Sequence, residues 1–121
     1  MRIAIPSDGD NLDSFIFEHF GRAPFYIIVD IEKDRIVSYK AIRNPSYERH
    51  MPGEIPSLLA NNNVDILIVR GIGPRAIIFF NQYGIKVIRG AEGRIREIIE
   101  KFLRNELEDI PYRPERKWHE E

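Results

Sequence analysis

Val64-Asp65-Ile66-Leu67-Ile68-Val69, followed at once by Arg70-Gly71-Ile72-Gly73-Pro74, is the stretch on which the fold turns. Five of its first six residues are apolar and four are β-branched. The run is too short for a helix and too continuous for a strand with one wet face. It predicts a central parallel strand covered on both sides. The glycines and proline then turn the chain into a helix predicted over residues 75–83, which Gly84 ends. Ile85-Lys86-Val87-Ile88 reads as the next strand. Strand, helix and strand in this order make a right-handed crossover, the unit of an α/β sheet.

Upstream, Arg2-Ile3-Ala4-Ile5 is a short apolar run closed by Pro6-Ser7-Asp8-Gly9-Asp10, a buried strand running into a loop. Phe25 to Ile31 and Arg35 to Ile42 are rich in β-branched and aromatic residues, and the short polar link Glu32-Lys33-Asp34 makes them a hairpin. Ile55, Leu58 and Leu59 stand at helical spacing after Gly53, with Pro56 tolerable in the first turn and Asn61-Asn62-Asn63 as the stop. Downstream, Ile95, Ile98, Ile99, Phe102 and Leu103 fall on one stripe of a last helix. Glu97 with Lys101 and Glu100 with Arg104 are expected as ion pairs on its wet side. The sum is an α/β domain: a mixed five-stranded sheet in order 3-2-1-4-5, its second strand (β2) antiparallel, with helices on both faces. This is the layout of a ribonuclease H-like domain. It is expected to occupy residues 1–107 as a single unit, leaving 108–121 as a charged, flexible tail.

A length of 121 residues suits one domain of this kind, and 43% hydrophobic with 31% charged residues excludes wholesale disorder. The apolar runs fall short of a membrane span, so a cytoplasmic protein is expected. With no cysteine there is no disulfide framework, thiolate zinc site or cysteine-held iron–sulfur cluster. Any metal must rest on His, carboxylate or backbone. Twenty Ile, no Thr, one Gln and abundant charge of both signs point to a thermophilic source. The net charge of -1 conceals an asymmetry: residues 70–104 carry 8 basic and 3 acidic side chains, whereas residues 1–69 carry 7 and 10. That block can attract an anion but is too weakly basic for a dedicated nucleic-acid binder.

Two segments carry a resemblance. His19-Phe20-Gly21-Arg22-Ala23-Pro24-Phe25 resembles the His-Phe-Gly-Arg-Ala segment of the dinitrogenase iron–molybdenum cofactor biosynthesis family, the group containing NifX and the C-terminal part of NifB. Val64 to Ala76 and Tyr83-Gly84-Ile85-Lys86-Val87 resemble that family's strand, Gly-x-Gly turn, Ala-bearing helix and Gly-Ile-x-Val strand. The likeness spans about residues 1–107. It implies the ribonuclease H-like layout reached above, and a role in binding or carrying an iron–sulfur or iron–molybdenum cluster or its precursor. A labile cluster of this sort, lost on purification, implies a donor or acceptor protein as partner.

In a sheet of this order, ligands collect beyond the carboxyl ends of the parallel strands, where the two segments converge. The expected cofactor-binding set is His19, Phe20, Gly21, Arg22, Gly71, Gly73 and Arg75. Glycine turns bring backbone N–H groups close to a ligand, the following helix start adds partial positive charge, and the arginines, with Arg70 beside them, attract an anion. His19 and His50 are the candidate metal ligands, since imidazole is the best soft-metal donor in a cysteine-free chain. A nuclease would need an Asp within the first strand, and Met1 to Ile5 contains none. Nor does any serine stand in a recognised nucleophile context. With the role that the resemblance implies, a non-catalytic carrier is expected. The competing reading is a regulatory or scaffold protein that grips a partner through Phe15, Phe17, Phe20 and Trp118 without metal.

Overall fold

The structure is a computed structural model and describes residues 1–47 and 53–111. Its first strand, β1 (Arg2–Ser7), is buried on both faces, because Ile3 and Ile5 enter one apolar cluster while Ala4 enters another. The period-2 alternation of a strand makes this division, and it organises the molecule. β1 is flanked by β2 (Phe25–Glu32), which runs antiparallel to it, and by β4 (Ile66–Ile68), which runs parallel. β3 (Arg35–Arg43) lies outside β2, and β5 (Lys86–Ile88) lies outside β4, parallel to it. The sheet order is β3-β2-β1-β4-β5, as predicted.

On one face, α3 (Ile95–Leu103) sets Ile95, Ile98 and Ile99 against Ile3, Ile5, Ile27, Val29 and Ile68. On the other, α1 (Glu54–Asn61) and α2 (Pro74–Gln82) set Leu59 and Phe80 against Ala4, Tyr26, Ile28, Leu67 and Val69. Fully burying each such side chain contributes about 1.5–3 kcal/mol, so the two-sided sheet supplies most of the driving force. Among the described residues no helix is long and apolar enough to cross a membrane.

The structure corrects several local expectations. The fourth strand's ladder is three residues long, not six. Val64 N–H turns back to Leu59 O at 3.2 Å, whereas Asp65 and Val69 keep backbone bonds to the neighbouring strands, Asp65 N–H to Arg2 O and Val69 N–H to Ile88 O, each at 2.8 Å. The hairpin closes on two residues, Lys33 and Asp34, both at positive φ (53° and 62°), the twist that best matches the flanking strands. On α3 the expected i,i+4 pairs do not form. Glu97 turns back to accept from the Arg94 amide at 3.2 Å, and Arg104 pairs with Glu106 at 3.2 Å. A helix's first N–H groups have no intrahelical acceptor, so a carboxylate in the first turn is better used there.

Residues 108–110 are not loose. Leu107 packs on the α3-side cluster, and Asp109 accepts from Arg89 Nε and Nη2 at 2.9 and 3.0 Å while Ile110 N–H reaches Arg89 O at 3.0 Å. The rest of the expected tail, residues 112–121, lies outside the described residues, Trp118 included.

At the far end of the sheet from the candidate site, Arg2 Nε donates to Asp30 at 2.6 Å. This hydrogen bond and the guanidinium charge hold the Asp30 carboxyl below the usual carboxylate range. Because the folded value lies below the unfolded one, near ~3.9, the pair's contribution is whole above that pH. It is lost as pH falls through the lowered folded value. Asp30→Asn should therefore lower Tm at neutral pH and lessen its further decline below about pH 4. Thermal unfolding measured from neutral to acid pH checks this, and an unchanged acid profile would assign the acid sensitivity to other carboxylates.

Candidate functional site

Beyond the carboxyl end of β1 the chain does not wander. Asp8 N–H donates to Phe15 O at 3.0 Å, and the Phe15 amide returns a bond to Asp8 Oδ1 at 3.0 Å. Ser7 bridges to Ile16 and Phe15 to Arg94. Leu12 and Ile16 are buried in the α3-side cluster, whereas Phe20 and Ala23 are buried in the opposite one. One loop is thus pinned into both cores, and the stretch containing Asp8, Asp10 and Asp13 is knit to α3. Ser14 O and Leu12 O accept from the Ile95 and Arg96 amides, each at 2.9 Å, so this loop caps the start of that helix.

The two segments singled out in the sequence meet through their backbones. His19 and Gly71 form a parallel bridge, with the Gly71 amide on Glu18 O at 3.1 Å and the Phe20 amide on Gly71 O at 3.2 Å. His19 is exposed and leads into a 3-10 turn, Phe20–Arg22, whose Arg22 amide closes on His19 O at 3.0 Å. Phe20, expected in the ligand-binding set, instead turns inward. Its ring meets Phe80 edge-on at 5.3 Å and Tyr26 at 5.7 Å, so it anchors the loop that displays its neighbours.

A buried polar group completes the anchor. Tyr26 Oη donates to Phe20 O at 2.6 Å, and burial pushes this hydroxyl far above its ordinary value, so it remains a donor throughout the physiological range. Asn44 Nδ2 donates to Ala23 O at 2.8 Å and lies 3.4 Å from Gly21 O, while Asn44 Oδ1 accepts from the Ser46 amide at 2.8 Å. The Ser46 hydroxyl in turn binds Glu54 at the start of α1. Nothing in the local sequence distinguishes a buried Asn that satisfies distant carbonyls from one in an open turn.

On the other side, Gly73 is the residue before α2, at φ −78° and ψ 158°, an extended conformation that any residue adopts. A Cβ there would meet nothing within 4 Å. The fold therefore has no need of glycine at this position. Pro74 opens the helix, and the amides of Gly73, Arg75 and Ala76 find no acceptor among the described residues. In contrast to α3, this helix start is left open. Arg22 and Arg75 are both exposed and neither is paired with a carboxylate among the described residues, whereas Arg70 lies 3.2 Å from Glu92. His50 lies outside the described residues. Among the described residues, no three His, Cys, Asp or Glu side chains are grouped to hold a metal ion. What the site presents is one exposed imidazole, open amides and two unneutralised guanidinium groups. Groups of these kinds can attract an anion.

The sequence profile of a family described as "Dinitrogenase iron-molybdenum cofactor" matches residues 1–105. A protein of Methanocaldococcus jannaschii, the uncharacterized MJ0580, is 38% identical over 110 residues, covering 89% of this chain and 90% of its own. The crystal structure of PH0822 superposes with a TM-score of 0.82 at 34% identity, covering 91% of this chain and 96% of that one. The NMR structure of TM1290 from Thermotoga, provisionally assigned as a NifB protein, gives 0.78 at 28% identity and covers 96% and 98%. With the profile spanning every described strand and helix, this chain belongs to the dinitrogenase iron–molybdenum cofactor family.

Proposed function

We propose that this protein is a non-catalytic carrier, in the cytoplasm, of an anionic iron–sulfur or iron–molybdenum type cluster or its precursor, which it receives from one protein and yields to another. The observation that supports this reading is the backbone bridge between His19 and Gly71, which joins an exposed histidine to the turn that leads into an uncapped helix start. His19 is the metal ligand. The Gly73, Arg75 and Ala76 amides and the guanidinium groups of Arg22 and Arg75 hold the anionic cargo by hydrogen bonds and charge. Gly21 and Gly71 keep the backbone close, and His50 is a second candidate ligand from the connection before α1. A cargo held by one or two ligands leaves readily. The expected affinity is micromolar, about 8 kcal/mol, strong enough to load and weak enough to transfer. Two carboxylates of this loop are occupied structurally, Asp8 by the Phe15 amide and Asp13 by Arg96 at 3.3 Å, which favours carriage over metal-assisted hydrolysis.

Anaerobic titration with iron–sulfur and iron–molybdenum cluster preparations, read by visible absorbance, tests this. His19→Ala should weaken uptake at least tenfold, about 1.4 kcal/mol, while Tm stays within about 2 °C because the side chain is exposed. Equal uptake by both forms would eliminate His19 as ligand.

Gly73→Asp separates stability from binding. A carboxylate at this extended position can accept from the open amides of the first turn, so the variant should gain a few tenths of a kcal/mol, roughly 1–2 °C in Tm. The same substitution occupies the donors and adds a negative charge, so cluster uptake should fall. A variant that is more stable and binds as well as the parent would show that these amides do not face the cargo. Gly73→Ala, which meets no neighbour, serves as the control for the added Cβ.

A further inference from the structure

The two edges of the sheet are treated differently. β5 is three residues long, and its continuation is covered: the Arg89 amide and carbonyl are taken by Asp109 and Ile110. β3 is nine residues long and pairs with β2 alone. Every second residue of such a strand directs its N–H and C=O away from its only partner, so β3 offers an extended row of backbone groups ready to pair. Its centre carries exposed apolar side chains, Val37 at 53% and Tyr39 at 42%. Among the described residues β3 has neither proline nor a covering segment; its protection is limited to Lys40 and to a bulge at Val37, where the register with β2 slips.

Charge says what kind of strand would fit. Most arginines with a nearby carboxylate use it: Arg2, Arg70, Arg89, Arg96 and Arg104 are all ion-paired. Arg35 and Arg43, at the two ends of β3, and Lys33 in the preceding turn have no carboxylate partner among the described residues; Arg43 lies over the Phe25 ring at 5.3 Å. β3 itself thus carries exposed apolar residues, three cations (Arg35, Lys40 and Arg43) and no carboxylate, with Glu32 and Asp34 standing beside Arg35 at the hairpin. A second copy of this chain is a poor match. An antiparallel pairing of β3 with itself in full overlap, centred on Tyr39, would set Arg35 of each copy opposite Arg43 of the other. Like charges directly opposite one another destabilise a strand pair.

We propose that β3 is a docking edge to which an extended, acidic and apolar segment of another protein adds as a sixth strand. Main-chain hydrogen bonds supply the affinity, and the paired ends of opposite charge select the partner and its register. The proposal does not depend on cluster binding, because it uses a different edge of the sheet from His19 and Gly71.

A fluorescein-labelled heptapeptide, Glu-Val-Glu-Ile-Thr-Val-Glu, and its counterpart with Lys in place of each Glu serve as probes for the full-length protein. Fluorescence anisotropy should give at least tenfold tighter binding for the acidic peptide, weakening as salt is raised. Hydrogen exchange should show added protection at residues 35–43. The double variant Arg35→Glu with Arg43→Glu should lose at least tenfold for the acidic peptide and gain for the basic one, while its circular dichroism and Tm confirm folding. Val37→Lys, at an exposed position, should block both peptides. Equal binding of the two peptides, or binding without protection of residues 35–43, would overturn the proposal. So would a dimer in sedimentation that Val37→Lys dissolves, since the edge would then belong to a second copy.

Discussion

Phe80→Ala should lower stability by about 3–5 kcal/mol, the range for emptying a fully buried aromatic site. Phe80 is 0% exposed and stands where α2, the sheet and the His19 loop converge. Truncation removes its own contacts and also the edge-on contact that Phe20 makes with it at 5.3 Å. The consequence extends to the candidate site. With its anchor loosened, the loop should open locally more often, raising amide exchange at Phe20 and Gly71, whose N–H groups close the bridge between the two segments. Denaturant titration at unchanged slope gives the stability loss, and exchange at those two amides gives the coupling. Phe80→Leu should recover much of both by refilling the volume. A loss near 1 kcal/mol, or exchange that is faster everywhere except at the bridge, would mean that Phe20 is held by Tyr26 and Asn44 alone.

Gly90→Ala is the second large effect, expected at about 2–4 kcal/mol. Gly90 sits at φ +89°, where an L side chain is strained, and a Cβ built there falls 2.6 Å from the backbone oxygen of Ile110. A carbonyl in the main chain cannot step aside as a flexible side chain does. Residues 107–110 would have to lift, breaking the Arg89–Asp109 pair and the Ile110–Arg89 hydrogen bond together. Limited proteolysis should then cut between Leu107 and Ile110 in the variant and spare the parent. Combining Gly90→Ala with removal of residues 108–121 should add only the backbone strain, about 1–2 kcal/mol. A full-sized cost in the shortened chain would relocate the clash. The same contact explains why the segment after α3, which reads as a loose charged tail, lies against β5: a glycine 20 residues away leaves room for it.

The strand around Ile66–Ile68 was legible as a continuous apolar run, the hairpin as two β-branched and aromatic runs joined by a short polar link, and α3 by the 3.6-residue period that one-sided burial imposes. Gly71-Ile72-Gly73 and His19-Phe20-Gly21-Arg22 were legible as unusual local groupings. Their meeting was legible only as far as the strand order placed both at one end of the sheet. Three features left no such trace. Asn44 reads as a turn residue, yet it is buried and satisfies carbonyls of the His19 loop. Phe20 reads as a ligand contact, yet its ring belongs to the core. Glu97 reads as half of a surface ion pair, yet it serves the start of its own helix.

From residues alone come the strand order, the two-faced core and a short set of chemically apt side chains, since each follows from which positions must leave water. Tertiary structure decided which of those side chains face outward, which amides go without acceptors and which sheet edge stands open. The reason is that a hydrogen bond between distant parts of the chain depends on where both partners arrive, and neither partner's own neighbourhood encodes the other's position.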